Sequence, residues 1–431
     1  MKLYLGLGAL ALGSAVVGLG LAREKGEAGE PPAIGYVMHE WGTFTSVHGS
    51  NGKMLAGLQR EEEHLPAFVR AHAGMENRGG IMMKGWRRPM KNVIVKMETP
   101  VIYFYSDEGF KGSVEVGFKG GSISQWWPPR QGGEVPPKYD PPKFDPNATP
   151  EMRAAFLEKM KVAGMIDFGD GKYEGSIKWE FEVMAPDSGM EAEVFRSGET
   201  LNWLRPRQTG SNIVKAGGIC EKYLFYRGVG NFEVPMQFKV DSEETLTITN
   251  TSSEAVPYAL VFEKNVLGRV GIYELAEGIE PGKTILVGYE ELFPPSGEEP
   301  RYLAKAVGPE YKKMIAGLVK SGLRHDEASA MVQTWWDSYF GKPGLRVFWV
   351  VPQGETERIL PLEITPKPKE MVRVLVGRSE VLRPGFEKQL VKEYQAEKKT
   401  AWNARWNSGF GAAYLQRVEE LLPTTVTTVA R

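Results

Sequence analysis

The chain has 431 residues, 42% of them hydrophobic, so it is long enough to bury one large core or two ordinary ones. Its 53 Lys and Arg residues nearly balance its 54 Asp and Glu residues, which excludes electrostatic capture of nucleic acid or of an anionic membrane surface. The single cysteine, Cys220, excludes an intramolecular disulfide. Packing must therefore stabilise the fold.

The first 22 residues predict export. Lys2 precedes an apolar run over residues 3–22 that ends in small residues, and charged residues follow it, as in a cleaved signal peptide. We expect cleavage after Ala22 and a periplasmic or secreted protein. The run is also long enough to cross a bilayer, so an N-terminal anchor, left uncleaved and serving as the protein's membrane contact, is the alternative. Its five glycines lower helix propensity and favour the signal peptide.

A flexible leader rich in Gly, Glu and Pro is predicted at residues 23–33, before the folded part begins near residue 34. Residues 36–47 predict a strand, because apolar and aromatic side chains alternate loosely and turn-forming residues follow. Residues 60–73 predict a short helix, because acidic residues stand at its start, where the helix dipole favours negative charge.

Strand patterns dominate the next part of the chain. Residues 93–105 have the β-branched and aromatic content of a long buried strand that bends at Pro100. Residues 113–118 alternate and should pair with that strand, and residues 122–127 predict one more. Residues 128–150 contain eight prolines, which predicts a proline-rich surface loop.

A helix is predicted to follow this loop, because Thr149 and Pro150 form a start signal and apolar side chains then recur on one face until Gly164. Residues 176–184 return to a strand pattern. Short strands separated by polar turns then predict a β-sandwich. They lie at residues 245–250, 258–263, 272–275 and 284–287.

The hydrophobic period changes after residue 300 from two to 3.6, which predicts helices at residues 309–321 and 324–340. Three strands and two further helices should follow, at residues 346–351, 359–365, 371–376, 384–397 and 412–422. The predicted fold class is therefore α+β and β-rich. A large antiparallel β-sandwich at residues 34–300 precedes a smaller α+β C-terminal module at residues 301–431 and packs against it.

One motif carries a family resemblance. The segment His39-Glu40-Trp41-Gly42-Thr43-Phe44-Thr45 resembles the signature of an uncharacterised group of exported bacterial proteins, near their mature N-terminus. The segments Met97-Glu98-Thr99-Pro100 and Val376-Gly377-Arg378 resemble the same group. The resemblance implies export and a shared organisation, but it implies no activity.

Standard catalytic spacings are mostly missing from the sequence, which has neither a nucleophile elbow nor a phosphate-binding loop. His39 and Glu40 remain as candidates for an acid, a base or ligands of a divalent metal, the one cofactor that the sequence suggests. Neighbouring strand residues point to opposite faces, so both reach one site only if Gly42 marks a bulge. His48, His64 and His72 could complete a metal site. A half-buried, structural His39 is the alternative.

Aromatic and charged residues elsewhere offer binding candidates. Trp126 and Trp127 precede two prolines and could form a flat platform for a glycan, or could clamp the proline-rich loop to the sheet. Arg227 lies in a strand pattern beside Tyr226 and would need a carboxylate partner if it is buried, with Glu98 and Glu40 as candidates.

Two functional hypotheses follow from these observations. The first is a non-catalytic binding or structural protein of the cell envelope, whose partner is an envelope protein or a glycan. The second is an extracytoplasmic hydrolase, metal-dependent or not, whose catalytic residues are His39, Glu40 and Arg227. In that hypothesis Trp41, Glu98 and Tyr226 bind the substrate.

Overall fold

The computed structural model describes residues 34–62, 65–66, 68–71, 90–134, 145–162, 165–169, 171–192, 204–294, 303–396 and 405–422. The predicted signal peptide and leader lie outside these residues, as do His64, His72 and the middle of the proline-rich loop. None of the described helices is both long enough and apolar enough to span a bilayer.

Strands make up most of the regular structure in the described residues. In chain order they are β1 (Ile34–His48), β2 (Arg70–Ala71), β3 (Met90–Lys91), β4 (Val95–Met97), β5 (Val101–Tyr105), β6 (Phe110–Lys119), β7 (Gly121–Trp127), β8 (Gly132–Gly133), β9 (Ile166–Asp167), β10 (Glu174–Val183), β11 (Val214–Ala216), β12 (Ile219–Glu221), β13 (Leu224–Gly230), β14 (Met236–Val240), β15 (Leu246–Asn250), β16 (Ala259–Lys264), β17 (Val270–Leu275), β18 (Thr284–Val287), β19 (Gly344–Val350), β20 (Leu362–Thr365) and β21 (Pro368–Val381).

Helices are concentrated in the C-terminal part. They are α1 (Pro150–Val162), α2 (Tyr289–Leu292), α3 (Leu303–Lys320), α4 (His325–Thr334), α5 (Gln353–Ile359), α6 (Pro384–Ala396) and α7 (Gly411–Leu421), with a 3-10 turn at Arg205–Gln208 and a π-helical turn at Trp336–Phe340. The predicted fold class, α+β and β-rich, is confirmed.

Strand β1, which carries the signature, lies in the middle of a sixteen-stranded sheet. It pairs in parallel with β21 on one side and antiparallel with β5 and β4 on the other. The predicted sheet was antiparallel throughout, whereas the observed sheet is mixed. The reason is that β21 lies more than 300 residues after β1, and so long a connection allows the two strands to run in the same direction.

A three-stranded sheet of β14, β15 and β18 packs over one face of the large sheet, as expected for a sandwich. Phe238 and Ile248 of the small sheet share a core with Val347 and Trp349 of the large sheet. Strands β15 and β16 follow each other in sequence but lie in different sheets. We define the side covered by the small sheet as the sandwich face.

Helices α3 and α4 cover the opposite side of the large sheet, which we define as the helix face. The Trp335 ring stacks on the Phe348 ring at 5.0 Å between centroids and 10° between planes. The Trp335 indole N–H donates a hydrogen bond of 3.3 Å to Oγ1 of Thr43 on β1. The apolar stripes predicted for these helices are therefore buried against the central strands.

The large sheet crosses the boundary that the sequence suggested at residue 300. Strand β19 pairs with β16 from before that boundary, and β21 pairs with β1. Strands from both segments therefore form one hydrogen-bonded sheet.

Three local predictions differ from the structure. The described part of residues 60–73 contains no helix, and Arg70–Ala71 pair with β7 instead. Strand β6 pairs with β10 and β20 rather than with residues 93–105, because both edges of β5 are already occupied by β1 and β13. The region predicted as a strand at residues 359–365 begins at the end of helix α5.

Gly42 allows the segment that connects β4 to β5 to approach β1 closely. A Cβ atom at residue 42 would lie 2.8 Å from Pro100 Cα and 2.9 Å from Pro100 Cγ, closer than van der Waals contact allows. The bend at Pro100 and the glycine of the signature therefore form one packing unit.

Replacing Gly42 with alanine should lower the free energy of unfolding by about 1–3 kcal/mol, the usual cost of overpacking a core. Gly35→Ala on the same strand is the matched control, because a Cβ there meets nothing within 4 Å. We expect the control to change stability by less than about 0.5 kcal/mol in urea unfolding. Equal losses in both variants would contradict the proposed contact with Pro100.

Candidate functional site

The signature strand sends alternate side chains to opposite faces of the large sheet. Met38 and Phe44 belong to the core of the sandwich face, and Trp41 to the core of the helix face. The pairing of β1 with β21 runs without a bulge from Val37 to His48. Because Gly42 introduces no bulge, His39 and Glu40 lie on opposite sides of the sheet.

His39 connects β1 to the start of helix α4. Its Nδ1 lies 2.7 Å from Oε2 of Glu327, and both side chains are buried. The Tyr105 hydroxyl donates to the other oxygen of Glu327 at 2.8 Å, and the backbone N–H of Arg324 donates to Oε2 at 2.8 Å. Burial, and then the negative charge of Glu327, raise the pKa of Tyr105, so its hydroxyl stays a donor. The contacts of the Glu327 carboxylate therefore hold helix α4 to strands β1 and β5.

Glu40 is engaged in a separate buried group on the sandwich face. The Tyr226 hydroxyl donates to its Oε1 at 2.6 Å, and Arg373 Nε donates to its Oε2 at 2.6 Å. Arg373 stands directly opposite Glu40 in the parallel pairing of β1 with β21. Burial raises the pKa of Tyr226, and the charge of Glu40 raises it further. Glu40 and Tyr226 are thus brought together, but away from His39.

Metal ligation by His39 and Glu40 together would require them to share one face. Among the residues that the structure describes, no group of three or more His, Cys, Asp or Glu side chains is close enough to hold a metal. His48 lies elsewhere on β1, where its Nε2 is 2.9 Å from the Ser46 hydroxyl. Burial lowers the pKa of His48 to about 4, so the imidazole is neutral at pH 7.

A pocket opens on the helix face beside Trp41. The space open to the centre of a water molecule is about 70 Å³, enough for several waters. Its apolar wall consists of Trp41, Leu65, Val101, Tyr223, Phe225 and Tyr339, and its polar side of Glu62, Glu98, Thr99, Arg227, Thr334 and Ser338. The pocket therefore combines aromatic walls with charged and hydroxyl groups.

Arg227 is the basic group that lines this pocket. Its Nη2 donates to Oε2 of Glu98 at 2.8 Å and to Glu61. The sequence had named Glu98 or Glu40 as the carboxylate partner that a buried Arg227 would need, and Glu98 is the partner observed. Because Arg227 and Glu40 face opposite sides of the sheet, the structure does not bring His39, Glu40 and Arg227 together in one site.

The ion pairs of the pocket continue into a buried charge network. Lys96 is fully buried, and its ammonium lies 2.5 Å from Oε1 of Glu62 and 3.3 Å from Oε1 of Glu98. Arg378 lies 3.0 Å from Glu62. We define the buried charge network as four acidic and four basic residues, namely Glu61, Glu62, Glu98, Glu380, Lys96, Arg227, Arg346 and Arg378.

Glu62 stays ionised within this network. Burial alone would raise its pKa, but the charges of Arg378, Lys96 and Lys342 outweigh burial and hold the pKa well below its ordinary value. A carboxyl group with so low a pKa is a poor proton donor near pH 7. Its ion pairs, which connect the segment after β1 to β4 and β21, therefore have a structural role.

Two pocket-lining side chains carry a buried N–H group without a hydrogen-bond partner among the described residues. They are the indole Nε1 of Trp41 and the Nε of Arg227. Both side chains are more than nine-tenths buried. The Thr99 hydroxyl also lines the pocket and lacks a described partner. Buried donors are rarely left unpaired, so each of these N–H groups carries a desolvation cost that no described hydrogen bond offsets.

Trp126 and Trp127 do not form an exposed platform. Trp126 lies in the core of the sandwich face with the Arg130 guanidinium 4.4 Å from its ring centroid, and Trp127 lies in the core of the helix face. The Trp127 indole donates to Glu221 at 3.1 Å. Both residues belong to β7, so their side chains point to opposite faces, and each is buried there. Both rings are therefore buried, and neither offers an exposed platform to a glycan.

The sequence did not indicate several residues of the buried charge network beside the pocket. Glu61 and Glu62 were interpreted as acidic residues that favour a helix start, and Lys96 and Arg378 looked like ordinary strand residues. One signal was present: Glu98, Thr99 and Arg378 all belong to segments that resemble the exported family. Their pairing across the sheet depends on contacts distant in sequence, which local patterns do not encode.

The His39–Glu327 contact should contribute to stability. His39→Phe keeps a ring but removes the hydrogen bond, and we expect a loss of about 1.5–3 kcal/mol in the free energy of unfolding, as for other bonds to charged groups. In a double-mutant cycle with Glu327→Gln, the two losses should not add.

The control for this cycle is His325→Phe at an exposed position of the same helix. Its effect should add to that of Glu327→Gln within about 0.5 kcal/mol. If His39→Phe and Glu327→Gln were also additive, the contact would have no role in holding α4 to β1.

Glu62→Gln should destabilise the protein most at neutral pH, by about 3–5 kcal/mol, because it leaves buried cations without their partner. A carboxyl group whose pKa is lowered in the folded state stabilises the protein above its ordinary pKa, near 4.5 for Glu62, and loses this effect as the pH falls through the folded-state pKa. The difference between wild type and Glu62→Gln should therefore narrow below about pH 4.5.

Urea unfolding at pH 7, 5, 4 and 3 measures this difference. Glu174→Gln is the control, because Glu174 forms a surface ion pair with Lys119 at 2.8 Å in which both side chains are about half exposed. Its effect should stay below about 1 kcal/mol. A Glu62→Gln difference that does not vary with pH would contradict the structural role of the ionised carboxylate.

Comparisons with known proteins identify no family for this chain. No family model matches the chain, and no curated protein matches it. One similar solved structure is the yeast delta-COP-I mu-homology domain complexed with Dsl1 WxWxV peptide, at 6% sequence identity, with 82% of this chain and 100% of that chain covered and a TM-score of 0.26. A likeness this distant carries no argument about fold or function. The resemblance to an exported bacterial family stays a prediction.

Proposed function

We propose that this chain is an exported, non-catalytic binding protein of the bacterial cell envelope. The observation that carries the proposal is the separation of His39 from Glu40. Each side chain is buried in its own ion pair, on opposite faces of the sheet, and neither lines the pocket. The strongest candidates for acid-base chemistry in the sequence therefore have no common access to a substrate.

The composition of the pocket supports binding rather than catalysis. Its two carboxylates, Glu62 and Glu98, are neutralised by Lys96, Arg378 and Arg227. A general acid or base near pH 7 requires a pKa close to 7, whereas that of Glu62 is lowered. Apart from Arg227, the remaining lining groups are aromatic rings, aliphatic side chains and hydroxyls, which are typical of recognition.

Location in the envelope rests on the N-terminal sequence alone. The apolar run at residues 3–22 favours export and cleavage after Ala22. An uncleaved run would instead anchor the protein at the membrane surface. Both alternatives expose the folded part outside the cytoplasm, where an envelope protein or a glycan is available as a partner.

One observation favours a hydrolase as the second candidate. Glu62 and Glu98 line the same pocket and approach the same ammonium of Lys96. Most glycoside hydrolases use a pair of carboxylic side chains as their catalytic residues. In this version the catalytic pair would be Glu62 and Glu98, and the predicted pair of His39 and Glu40 would have no catalytic role.

The test uses the full chain expressed in a bacterium. We expect an exported protein that begins at Arg23 by mass spectrometry, sediments with isolated cell envelopes and releases no soluble sugar or peptide from them. Absence of sedimentation would contradict the binding function. Release of soluble products by wild type and by Glu174→Gln, but not by Glu98→Gln, would assign the hydrolase instead. An intact N-terminus in the membrane fraction would assign the anchor.

A further inference from the structure

We propose that His48 is an acid-sensitive switch in the fold. Protonation of its buried imidazole reverses a hydrogen-bond chain that joins β1 to β21 and places a charge at the contact with the small sheet. The inference goes beyond the proposed function and does not depend on it. It rests on the burial of the ring, on the direction of the hydrogen-bond chain and on the lack of a carboxylate partner among the described residues.

His48 lies where three parts of the fold meet. It is the last residue of β1 and is 1% exposed. Its ring packs edge-on against the Phe238 ring of β14, with 5.0 Å between centroids. Its backbone carbonyl accepts a hydrogen bond from the N–H of Leu382, just after β21. A charge on this ring therefore lies between the small sheet and the large sheet.

A chain of hydrogen bonds on the sandwich face ends at the His48 ring. The Trp349 indole N–H can only donate, and it donates to the Ser379 hydroxyl at 3.2 Å. The Ser379 and Ser46 oxygens are 3.1 Å apart, and the Ser46 oxygen is 2.9 Å from Nε2 of His48. Each hydroxyl proton has an acceptor within the chain only if Ser379 donates to Ser46 and Ser46 donates to Nε2. The chain therefore holds Nε2 as an acceptor, which a protonated ring cannot be.

Protonation of Nε2 conflicts with this chain. A protonated imidazole donates from both nitrogens, so Ser46 has to accept from His48 and turn its own proton toward Ser379. The Ser379 oxygen then accepts from Ser46 and from Trp349, and its own proton has no acceptor within the chain. Adding one proton therefore costs a hydrogen bond as well as the burial of a charge.

The charged groups near the ring on strands β14 and β21 offer it no counter-charge. Arg378 and Glu380 are the two neighbours of the β21 serine in the chain, so their side chains point to the opposite face of the sheet. There they pair with each other at 2.7 Å. Just after β21, Arg383 pairs with Glu263 at 2.6 Å. Lys239 on β14 is exposed and positively charged, so it cannot stabilise a second cation.

The turn after β1 and the helices beside it offer no counter-charge either. Glu387 of α6 pairs with Arg417 of α7 at 2.7 Å. Lys53 in the turn pairs with Glu420 of α7 at 2.6 Å. Both carboxylates therefore already have a cation. Within the part of the chain that the structure describes, His48 has no ion-pair partner.

The pKa of His48 follows from these surroundings. Burial lowers it from 6.5 to about 4, against the opposing effect of the Gly52 backbone. That backbone contact falls short of hydrogen-bond geometry, since Nδ1 has no hydrogen-bond partner among the described residues. In the unfolded chain the ring takes up its proton near pH 6.5. The neutral ring therefore stabilises the fold above pH 6.5, and this stabilisation is lost as the pH falls from 6.5 toward 4.

Urea unfolding of the full chain between pH 7.5 and pH 5 tests the switch. His48→Gln keeps an acceptor oxygen for Ser46 but cannot be protonated. The unfolding equilibrium constant of wild type, relative to that of His48→Gln, should rise about thirtyfold over this range, as a pKa that falls from 6.5 to about 4 on folding requires. Equal pH dependence in wild type and His48→Gln would overturn the proposal.

His325→Gln is the matched control, because His325 is exposed and its protonation puts no charge in the core. Relative to this control, the unfolding equilibrium constant of wild type should change by less than about twofold over the same range. A change as large as that seen against His48→Gln would show that exposed histidines produce the effect and would overturn the assignment to His48.

An NMR titration of wild-type protein decides the question even if His48→Gln does not fold. The His48 ring, identified by its contact with the Phe238 ring, should stay neutral between pH 7.5 and pH 5. Half protonation of this ring near pH 6.5 in the folded protein would overturn the proposal. Ser46→Ala removes the donor to Nε2 and should raise the pH of half protonation. An unchanged midpoint in Ser46→Ala would overturn the role of the hydrogen-bond chain.

Discussion

The structure depends on the burial of both faces of β1. A strand covered on one side by a second sheet and on the other by helices cannot expose its polar side chains to water, so a charged side chain on it needs a partner inside the protein. His39 is paired with Glu327, 288 residues further along the chain, and Glu40 with Arg373, 333 residues further along. Removing one partner costs about 1.5–3 kcal/mol for a hydrogen bond to a charged group, as in His39–Glu327, and about 3–5 kcal/mol for a buried ion pair, as in Glu40–Arg373. The polar residues of the signature therefore hold the N-terminal strand to the C-terminal elements.

On β1, burial of both faces distinguishes the residues that hold the fold together from the residue that lines the pocket. His39 and Glu40 look like the chemical centre of the sequence, yet their hydrogen-bonding capacity is used within the fold. Trp41, the residue after Glu40, packs its ring against Tyr103 and lines the pocket. Arg227 reaches the same pocket from β13 and has one side of its guanidinium held by Glu61 and Glu98. In the proposed function, recognition would depend on side chains whose hydrogen-bonding capacity is not fully used within the fold.

Local periodicity predicted most strands and helices of the fold, including β1, the bend at Pro100 and helices α3 and α4, because burial of one face imposes a period that can be counted. It could not predict that β15 and β16 lie in different sheets, since a polar turn permits either arrangement. The predicted helix at residues 60–73 failed because Glu61 and Glu62 pair with buried cations rather than with a helix dipole. The Arg227–Glu98 pair was foreseen from the need of a buried guanidinium for a carboxylate, whereas Lys96 and Arg378 have no local signature.

The pocket contains two of the buried donors that lack a hydrogen-bond partner among the described residues. Some buried groups on the helix face are closely matched, as where Glu327 accepts from a ring, a hydroxyl and a backbone N–H. In the pocket, Nε1 of Trp41 and Nε of Arg227 lack described partners although carboxylates lie nearby. A fold selected only for stability would gain from apolar replacements at such positions, because an unpaired buried donor is costly and a buried ion pair is often no better than well-packed hydrophobic residues. The sequence is therefore not optimal for stability at Trp41 and Arg227.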